Sequence, residues 1–304
     1  MDFESVAEGL QFPEGPVAMA DGSVIVVEIR RGTLTRIPPD GSTEIIADMG
    51  GGPNGAAIGP DGAMYVCNNG GFEYHDVEGL CIPGHAPADY ETGRIERVDL
   101  ATGEVTRLYD NCEGRPLRGP NDIVFDAHGG FYFTDLGKSW PRKRDTGAVY
   151  YALPDGSKIV EIEHSLVTPN GCGLSSDGKY LYYADTVPGR LWEYEILAPG
   201  EVAMRTPLGG LKAQLVTTLP GLQYLDSLAV TAAGNICVAT ILNGGVSSIT
   251  PGGEVTHYAT GDPLTTNICF GGEDMRDAWI TASGTGKLLK ARWPEPGLKL
   301  NFNA

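Results

Sequence analysis

The stretch "NDIVFDAHGGFYFTD", residues 121–135, sets two runs rich in Ile, Val, Phe and Tyr on either side of a His128-Gly129 turn. β-branched and aromatic runs around a glycine turn are the pattern of an antiparallel hairpin. Because the chain of a hairpin returns to the end it left, Asn121 and Asp135 are expected at the same end. The arrangement recurs in "AAIGPDGAMYVC" (56–67), "CGLSSDGKYLYYAD" (172–185) and "LAVTAAGNICVAT" (228–240). A unit that repeats along a chain is read as an array before any local motif is weighed.

The turns Asp21-Gly22, Asp61-Gly62, His128-Gly129, Asp177-Gly178, Ala233-Gly234 and Glu273-Asp274 put the units in phase. Seven residues before the first residue of each turn, or before Asp274 in the last, stand Glu14, Asn54, Asn121, Asn170, Asp226 and Asn267. Seven residues after stand Glu28, Asn68, Asp135, Ala184 with Asp185 beside it, Thr240 and Thr281. Each hairpin is followed by a glycine-opened run, as in "GTLTRIPPDG" (32–41) and "GAVYYALPDG" (147–156), and five of these continue into a fourth strand such as "STEIIAD" or "KIVEIEH". The sixth, "GKLLKARW" (286–293), has no strand after it, and "FESVAEG" (3–9) supplies one from the other terminus. The expected fold is all-β: a six-bladed β-propeller of four-stranded blades, closed by the N-terminal strand, forming one domain over residues 1–304.

Two intervals exceed the basic period: 67 residues separate Asn54 from Asn121, and 56 separate Asn170 from Asp226. Insertions at 70–92 and 197–212 account for them, and long loops of this kind are usually lids or interfaces. Both insertions, together with the 136–146 loop, are expected to set specificity.

The formal charge of −17 repels polyanions, and no basic stripe offsets it, which excludes nucleic acid as a partner. Arg142, Lys143 and Arg144 form the one basic cluster, readable as a solvated loop or as a clamp for an anionic substrate. No apolar run approaches the roughly 20 residues of a membrane span. The opening "MDFESVAEGL" has neither a basic nor an apolar leader region, so the expected location is the cytoplasm. Six cysteines without a C-x-x-C pair are expected as free thiols, with Cys172 and Cys237 acting as small buried hydrophobes. The five histidines make no i, i+4 pair, and there is neither a G-x-S-x-G elbow nor a complete P-loop.

The innermost strand of each propeller blade lines the central channel, so residues just ahead of those strands form a ring at its mouth. A single Asn or Asp there is explained by turn chemistry. Six in phase present two carboxylates and four carboxamides, all hard oxygen donors, which suit a divalent cation. Without a cation, two converging carboxylates repel and raise one another's pKa.

On "FPEGPV" (12–17), "RGPNDIVFDAHGGFYFTD" (118–135), "TPNGCGLSSDGKYLYYADT" (168–186) and "LDSLAVTAAGNICVAT" (225–240), the sequence resembles the senescence marker protein/gluconolactonase/regucalcin-like family, relatives of diisopropyl fluorophosphatase. The resemblance implies one divalent metal ion, Ca²⁺ first with Zn²⁺, Mn²⁺ and Fe²⁺ as alternatives, on Glu14, Asn170, Asp226 and Asn121. It implies Asp226 as general base. It implies Asn121 as a fourth ligand or a substrate contact, and a small-molecule lactone opened to its hydroxy acid as substrate; Asp122, Arg118, Asn54, Asn267 and Trp140 are the further candidates for substrate contact. Two departures stand out: Ser227 follows the aspartate where the family usually has glycine, and Arg118 stands three residues before Asn121 rather than two. With Trp140 and three cations brought toward that face, an aromatic or carboxylated lactone is as compatible as a sugar aldonolactone. A phosphotriesterase-like hydrolase with Asp226 as nucleophile and a non-enzymatic calcium-binding propeller are the alternatives. A monomer or a small homo-oligomer is expected.

Overall fold

The computed structural model describes residues 1–206 and 210–302. Six antiparallel sheets stand around an axis, and each runs outward in chain order from an inner strand. The inner strands are Pro13–Ala18, Pro53–Ile58, Pro120–Phe125, Pro169–Leu174, Tyr224–Val230 and Thr265–Gly271. Each packs on the next, and the last packs on the first, so the ring is closed. Glu4–Ala7 forms the outer strand of the sixth sheet by pairing antiparallel with Lys287–Arg292, with Glu4 opposite Lys290. This is the six-bladed propeller anticipated above, closed by its N-terminal strand as expected. Closure completes the sixth blade, and each blade keeps only short edges at its inner and outer strands.

The inner strands are buried almost throughout, and the core lies between adjacent sheets as apolar clusters. One such cluster joins Tyr65, Phe125, Phe131 and Phe133 between blades two and three. Another joins Tyr132, Tyr151, Tyr183 and Tyr194 between blades three and four. All six cysteines are free, with Cys172 and Cys237 buried as expected. Among the described residues no helix is long and apolar enough to cross a membrane.

Strand parity separates the two ends of the propeller. A chain that enters each blade at the mouth reaches the opposite end after its first and third strands, and returns to the mouth after its second and fourth. The 70–92 insertion follows a second strand, Met64–Asn68, and therefore rises at the mouth. The 197–212 insertion follows a third strand, Arg190–Ala198, and leaves at the opposite end, where Ile196 N–H bonds the Lys179 carbonyl in the turn at the far end of the same blade. The expectation that both insertions flank the site is corrected: the second lies away from it. Residues 207–209 of that insertion lie outside the described residues.

Candidate functional site

The six aligned polar residues are not ahead of the inner strands, as the spacing implied, but within their first turns of pleat. Pairing breaks there in every blade. In blades two to five two residues, Asn54-Gly55, Asn121-Asp122, Asn170-Gly171 and Asp226-Ser227, stand opposite a single residue of the second strand. In blade one the break follows Glu14, and in blade six it precedes Asn267. Such β-bulges re-aim a side chain that regular pleating would send elsewhere, and they are common beside active sites. Glycine follows the ring residue in three blades because the neighbouring backbone is close: a Cβ on Gly15 would stand 2.5 Å from the Asn54 carbonyl oxygen, and one on Gly171 2.6 Å from Ser227 Cα.

Glu14, Asn54, Asn121, Asn170, Asp226 and Asn267 are all buried, none more than 7% exposed. Glu14 Oε2 accepts from its neighbour Gly15 N–H at 2.5 Å and from Asn267 Nδ2 at 2.6 Å. The Asn267 Oδ1 accepts from Ile268 N–H at 2.7 Å, which fixes that amide's orientation. The Asn170 side chain lies beside Asp226 and opposes the rise in its pKa. Ser227 Oγ stands 3.5 Å from Asn170 Oδ1. Asn121 Oδ1 is a buried acceptor with no hydrogen-bond partner.

Charge is concentrated at this point. Burial pushes the Glu14 carboxyl up to about 8, with the Asp122 charge adding to the rise and the Asn267 and Gly15 hydrogen bonds opposing it. Burial, followed by the charge of Glu14, drives Asp226 well above the usual carboxylate range. Asp122 is pushed up to about 7 by burial. Its Oδ1 accepts from Ile123 N–H at 2.9 Å and its Oδ2 from Cys172 N–H at 3.2 Å, so it staples the inner strands of blades three and four. It also lines a cavity of about 70 Å³ in the channel, shared with Gly15, Cys172, Leu228 and Asn267 and bounded by Leu298 and Leu300.

The donor set is therefore hard and anionic: two carboxylates, the Asn170 amide, and an Asn121 oxygen without a partner. That chemistry fits a divalent cation. No group of three or more His, Cys, Asp and Glu residues able to hold a metal occurs among the described residues. The set here contains only two carboxylates, completed by carboxamides.

The second aligned row has a different task. Glu28 Oε2 accepts from Gln11 N–H at 2.6 Å, Asn68 Oδ1 from Gly52 N–H at 2.9 Å, and Asp185 Oδ1 from Thr168 N–H at 2.8 Å. Asp135 accepts from Arg118 N–H and Gly119 N–H, each at 2.7 Å. Each of these side chains holds the lead-in to a ring residue two or three positions further on. Asp185, not Ala184, occupies the fourth position of the row, facing Pro169 as Asp135 faces Pro120.

Arg118 and Trp140 lie on a wall beside the mouth. The Arg118 guanidinium pairs with Asp145 at 3.5 Å, and Lys143 reaches the same carboxylate at 3.3 Å. Lys143 Nζ sits 4.5 Å from the Trp140 ring, whose edge meets Tyr90 at 6.0 Å between centroids. Part of the basic cluster is thus already neutralised by Asp145. Sequence reasoning did not single out Tyr90 or Asp145, since neither falls in phase with the repeats.

The 70–92 insertion arches over this end. Its hairpin, Tyr74–Val77 with Leu80–Pro83, places Tyr74 5.5 Å from Phe12, two residues before Glu14. Arg30 of blade one pairs with Asp76 at 2.6 Å, and Cys81 N–H bonds the Gly284 carbonyl of blade six at 2.8 Å. On the other side Tyr90 OH donates to the Arg118 carbonyl at 2.6 Å. A larger hollow of about 480 Å³ opens at the opposite end, between Asp126–His128, Ser175–Lys179 and Leu197–Pro199, with no comparable ring of aligned donors.

The sequence pattern that defines the SMP-30/Gluconolactonase/LRE-like region matches residues 12–284. A gluconolactonase of Zymomonas mobilis is 28% identical over 92% of this chain and 78% of its own length. The structure of a gluconolactonase from Xanthomonas campestris superposes with a TM-score of 0.74 at 20% identity, covering 96% of this chain and 89% of that one. A calcium-binding regucalcin from Agrobacterium tumefaciens superposes with a TM-score of 0.70 at 19% identity, covering 96% and 95%.

Proposed function

This chain belongs to the SMP-30/gluconolactonase/LRE-like family, and from that premise we propose that it is a lactone hydrolase whose site is the buried ring at the channel mouth. Lactone hydrolysis is the chemistry named for its gluconolactonase relative. What supports the reading is the charge of Glu14 acting on the buried Asp226, with Asn170 beside it, and, at the same register position of the neighbouring blade, a buried Asn121 oxygen that no protein group satisfies.

Glu14, Asn170, Asp226 and Asn121 would hold one divalent cation, with Ca²⁺ placed first. Bound there, such an ion supplies Lewis acidity toward a carbonyl oxygen and acidity to a water. The protein's own groups do the rest. Asp226, buried within the ring of aligned residues, accepts the proton of the water that attacks the lactone carbonyl carbon. The ring C–O bond then breaks, and the departing alkoxide takes a proton, giving the open hydroxy acid. Asn267 keeps Glu14 oriented through the 2.6 Å bond to its Oε2.

The wall of Trp140 and Tyr90, with Arg118 and Lys143 paired to Asp145, favours a lactone carrying an aromatic substituent over a bare sugar aldonolactone. Metal-stripped protein restored with one ion at a time, and assayed for acid release across sugar, aryl-substituted and unsubstituted lactones and an organophosphate panel, tests the reading. Cation-dependent lactone opening that Asp226→Asn abolishes is the expected result. Turnover of organophosphates alone, or none at all with any cation, would overturn it.

A further inference from the structure

Lys138 is a lysine that neither the repeat nor the mechanism accounts for. It follows the second strand of blade three, Phe131–Asp135, and is only 2% exposed. A lysine in such a place is costly unless its charge and donors are satisfied.

Its partners come from the other side of a blade boundary. Nζ donates to the Gly71 carbonyl at 2.5 Å and to Asn69 Oδ1 at 3.2 Å, both at the root of the 70–92 insertion. The ammonium sits 3.8 Å from the centroid of the Phe72 ring and 5.4 Å from that of Tyr90, within cation–π range of both. Burial lowers its pKa to about 7, opposed by the charge of Asp135.

The two segments joined by this side chain, 69–71 and 136–138, each bond the lead-in of a ring residue. Gly71 and Asn69 crowd Gly52, where a Cβ would stand 2.5 Å from Asn69 Oδ1, and Asn69 N–H bonds the Gly52 carbonyl at 2.8 Å. Gly52 lies two residues before Asn54. On the other side Leu136 N–H bonds the Gly119 carbonyl at 2.9 Å, and Gly119 lies two residues before Asn121. Next to Lys138, Ser139 accepts at its carbonyl from Ala86 N–H at 2.9 Å, at the far root of the insertion. The tip of the insertion is held separately, by the Arg30–Asp76 pair, the Tyr74–Phe12 ring contact and the backbone bond from Cys81 to Gly284.

We propose that Lys138 is a positioning residue that bolts the root of the 70–92 insertion to blade three and so fixes the Tyr90–Trp140 wall that selects the lactone's substituent. The partners of the Lys138 ammonium, Gly71, Asn69, Phe72 and Tyr90, include none of the ring residues. Removing it frees the wall without removing a reacting group. The substrate part of the inference rests on the lactone-hydrolase reading, whereas the tether itself does not.

Two measurements on the full-length protein separate these. In Lys138→Met, amide hydrogen exchange across residues 69–93 is expected to accelerate by roughly tenfold or more, with the blade strands unchanged. KM for an aryl-substituted butyrolactone is expected to rise by roughly tenfold with kcat retained, while γ-butyrolactone itself stays within about twofold. Phe72→Leu, which keeps an apolar side chain and removes the ring face, is expected to move both readouts in the same direction by less, and it decides the matter if Lys138→Met does not fold. Unchanged exchange in the insertion would overturn the tether. An equal loss of kcat on both lactones would overturn the positioning role. If the wild-type protein opens neither lactone, the hydrolase reading fails, and the exchange measurement alone still decides whether Lys138 holds the insertion.

Discussion

Gly171→Ala is the most direct probe of how tightly the ring is held. Gly171 follows Asn170 at the bulge of blade four, and its φ lies outside the left-handed region, so alanine meets no backbone penalty there. The obstacle is space. The added Cβ would stand 2.6 Å from Ser227 Cα and 2.7 Å from both the Asp226 carbonyl oxygen and Leu228 N, whereas ordinary contact begins at 3.4 Å. The backbone carrying Asp226 must therefore retreat by about 0.8 Å. Overpacking of this kind costs about 1–3 kcal/mol, partly offset by the roughly 0.4–1 kcal/mol that alanine gains by stiffening the unfolded chain. The net loss is about 1–2 kcal/mol, a fall in Tm of a few degrees. Activity is expected to suffer more, because a displacement approaching 1 Å at a reacting group costs on the order of 100-fold. Gly173→Ala is the control: its Cβ would meet Leu228 Cδ1 at 2.7 Å and Val230 Cγ2 at 3.3 Å, side-chain ends that can yield. Thermal melts and kcat/KM on both variants decide. A Gly171→Ala protein as active as Gly173→Ala would show that Asp226 does not need its position, and the proposed chemistry would lose its base.

Chelator-treated protein is expected to lose stability as pH rises from about 4.5, the ordinary value for Glu14, toward its raised value of about 8. The folded state there holds a proton that the unfolded chain releases, so stability falls across that window, and added divalent cation should flatten the curve of Tm against pH. A flat curve without cation would contradict the packing of two carboxylates at the mouth. Asp226→Asn is expected to lower kcat by at least about 100-fold while raising the Tm of the chelator-treated protein at pH 8, because it removes one of two facing charges; retained turnover would exclude Asp226 as base. Asp135→Asn trades a carboxylate that accepts from Arg118, Gly119 and Gly137 N–H groups for an amide with one accepting oxygen, and a loss of about 1–3 kcal/mol in denaturant unfolding is expected. Deleting residues 1–7 strips the outer strand from Lys287–Arg292, and exchange protection in Asp277–Ala282 and Lys287–Arg292 should fall before that of the other blades.

The propeller was legible because its signal is short-range and repeated: a glycine turn between two β-branched runs is written into about fifteen residues, and six copies in phase leave little freedom. The ring residues were legible for the same reason. Their bulges were not, since Pro120 opposite Asp135 and Ile123 opposite Phe133 differ from a regular ladder only in a register that no residue type announces. The misplacement of the 197–212 insertion had a different origin. Its length was read correctly, but the end from which it leaves depends on whether it follows an even or an odd strand, and counting strands within blade four settles it. Lys138 carried no signal at all. In "LGKSWPRKRD" it looks like one more loop cation, and only the insertion rooted at Gly71, far earlier in the chain, buries it.

The two aligned rows differ in what an acidic or amide side chain is free to do, and that difference locates the chemistry. Glu28, Asp135 and Asp185 spend their oxygens on backbone N–H groups of the lead-in segments, so their charge is used in holding structure. Asp122 likewise spends both oxygens on Ile123 and Cys172. Glu14 takes two hydrogen bonds on Oε2, one from Gly15 N–H and one from the Asn267 amide, and Asn121 Oδ1 receives nothing. A buried acceptor without a donor costs a folded protein on the order of 1–3 kcal/mol, and burial raises both the Glu14 and the Asp226 carboxyl, Asp226 further through the charge of Glu14. The fold concentrates these unfavourable groups at one point of its axis and surrounds them with a row of satisfied ones. Such a distribution has a physical rationale when a cation and a polar substrate complete the site, because the surrounding row then holds the donors in place before either arrives.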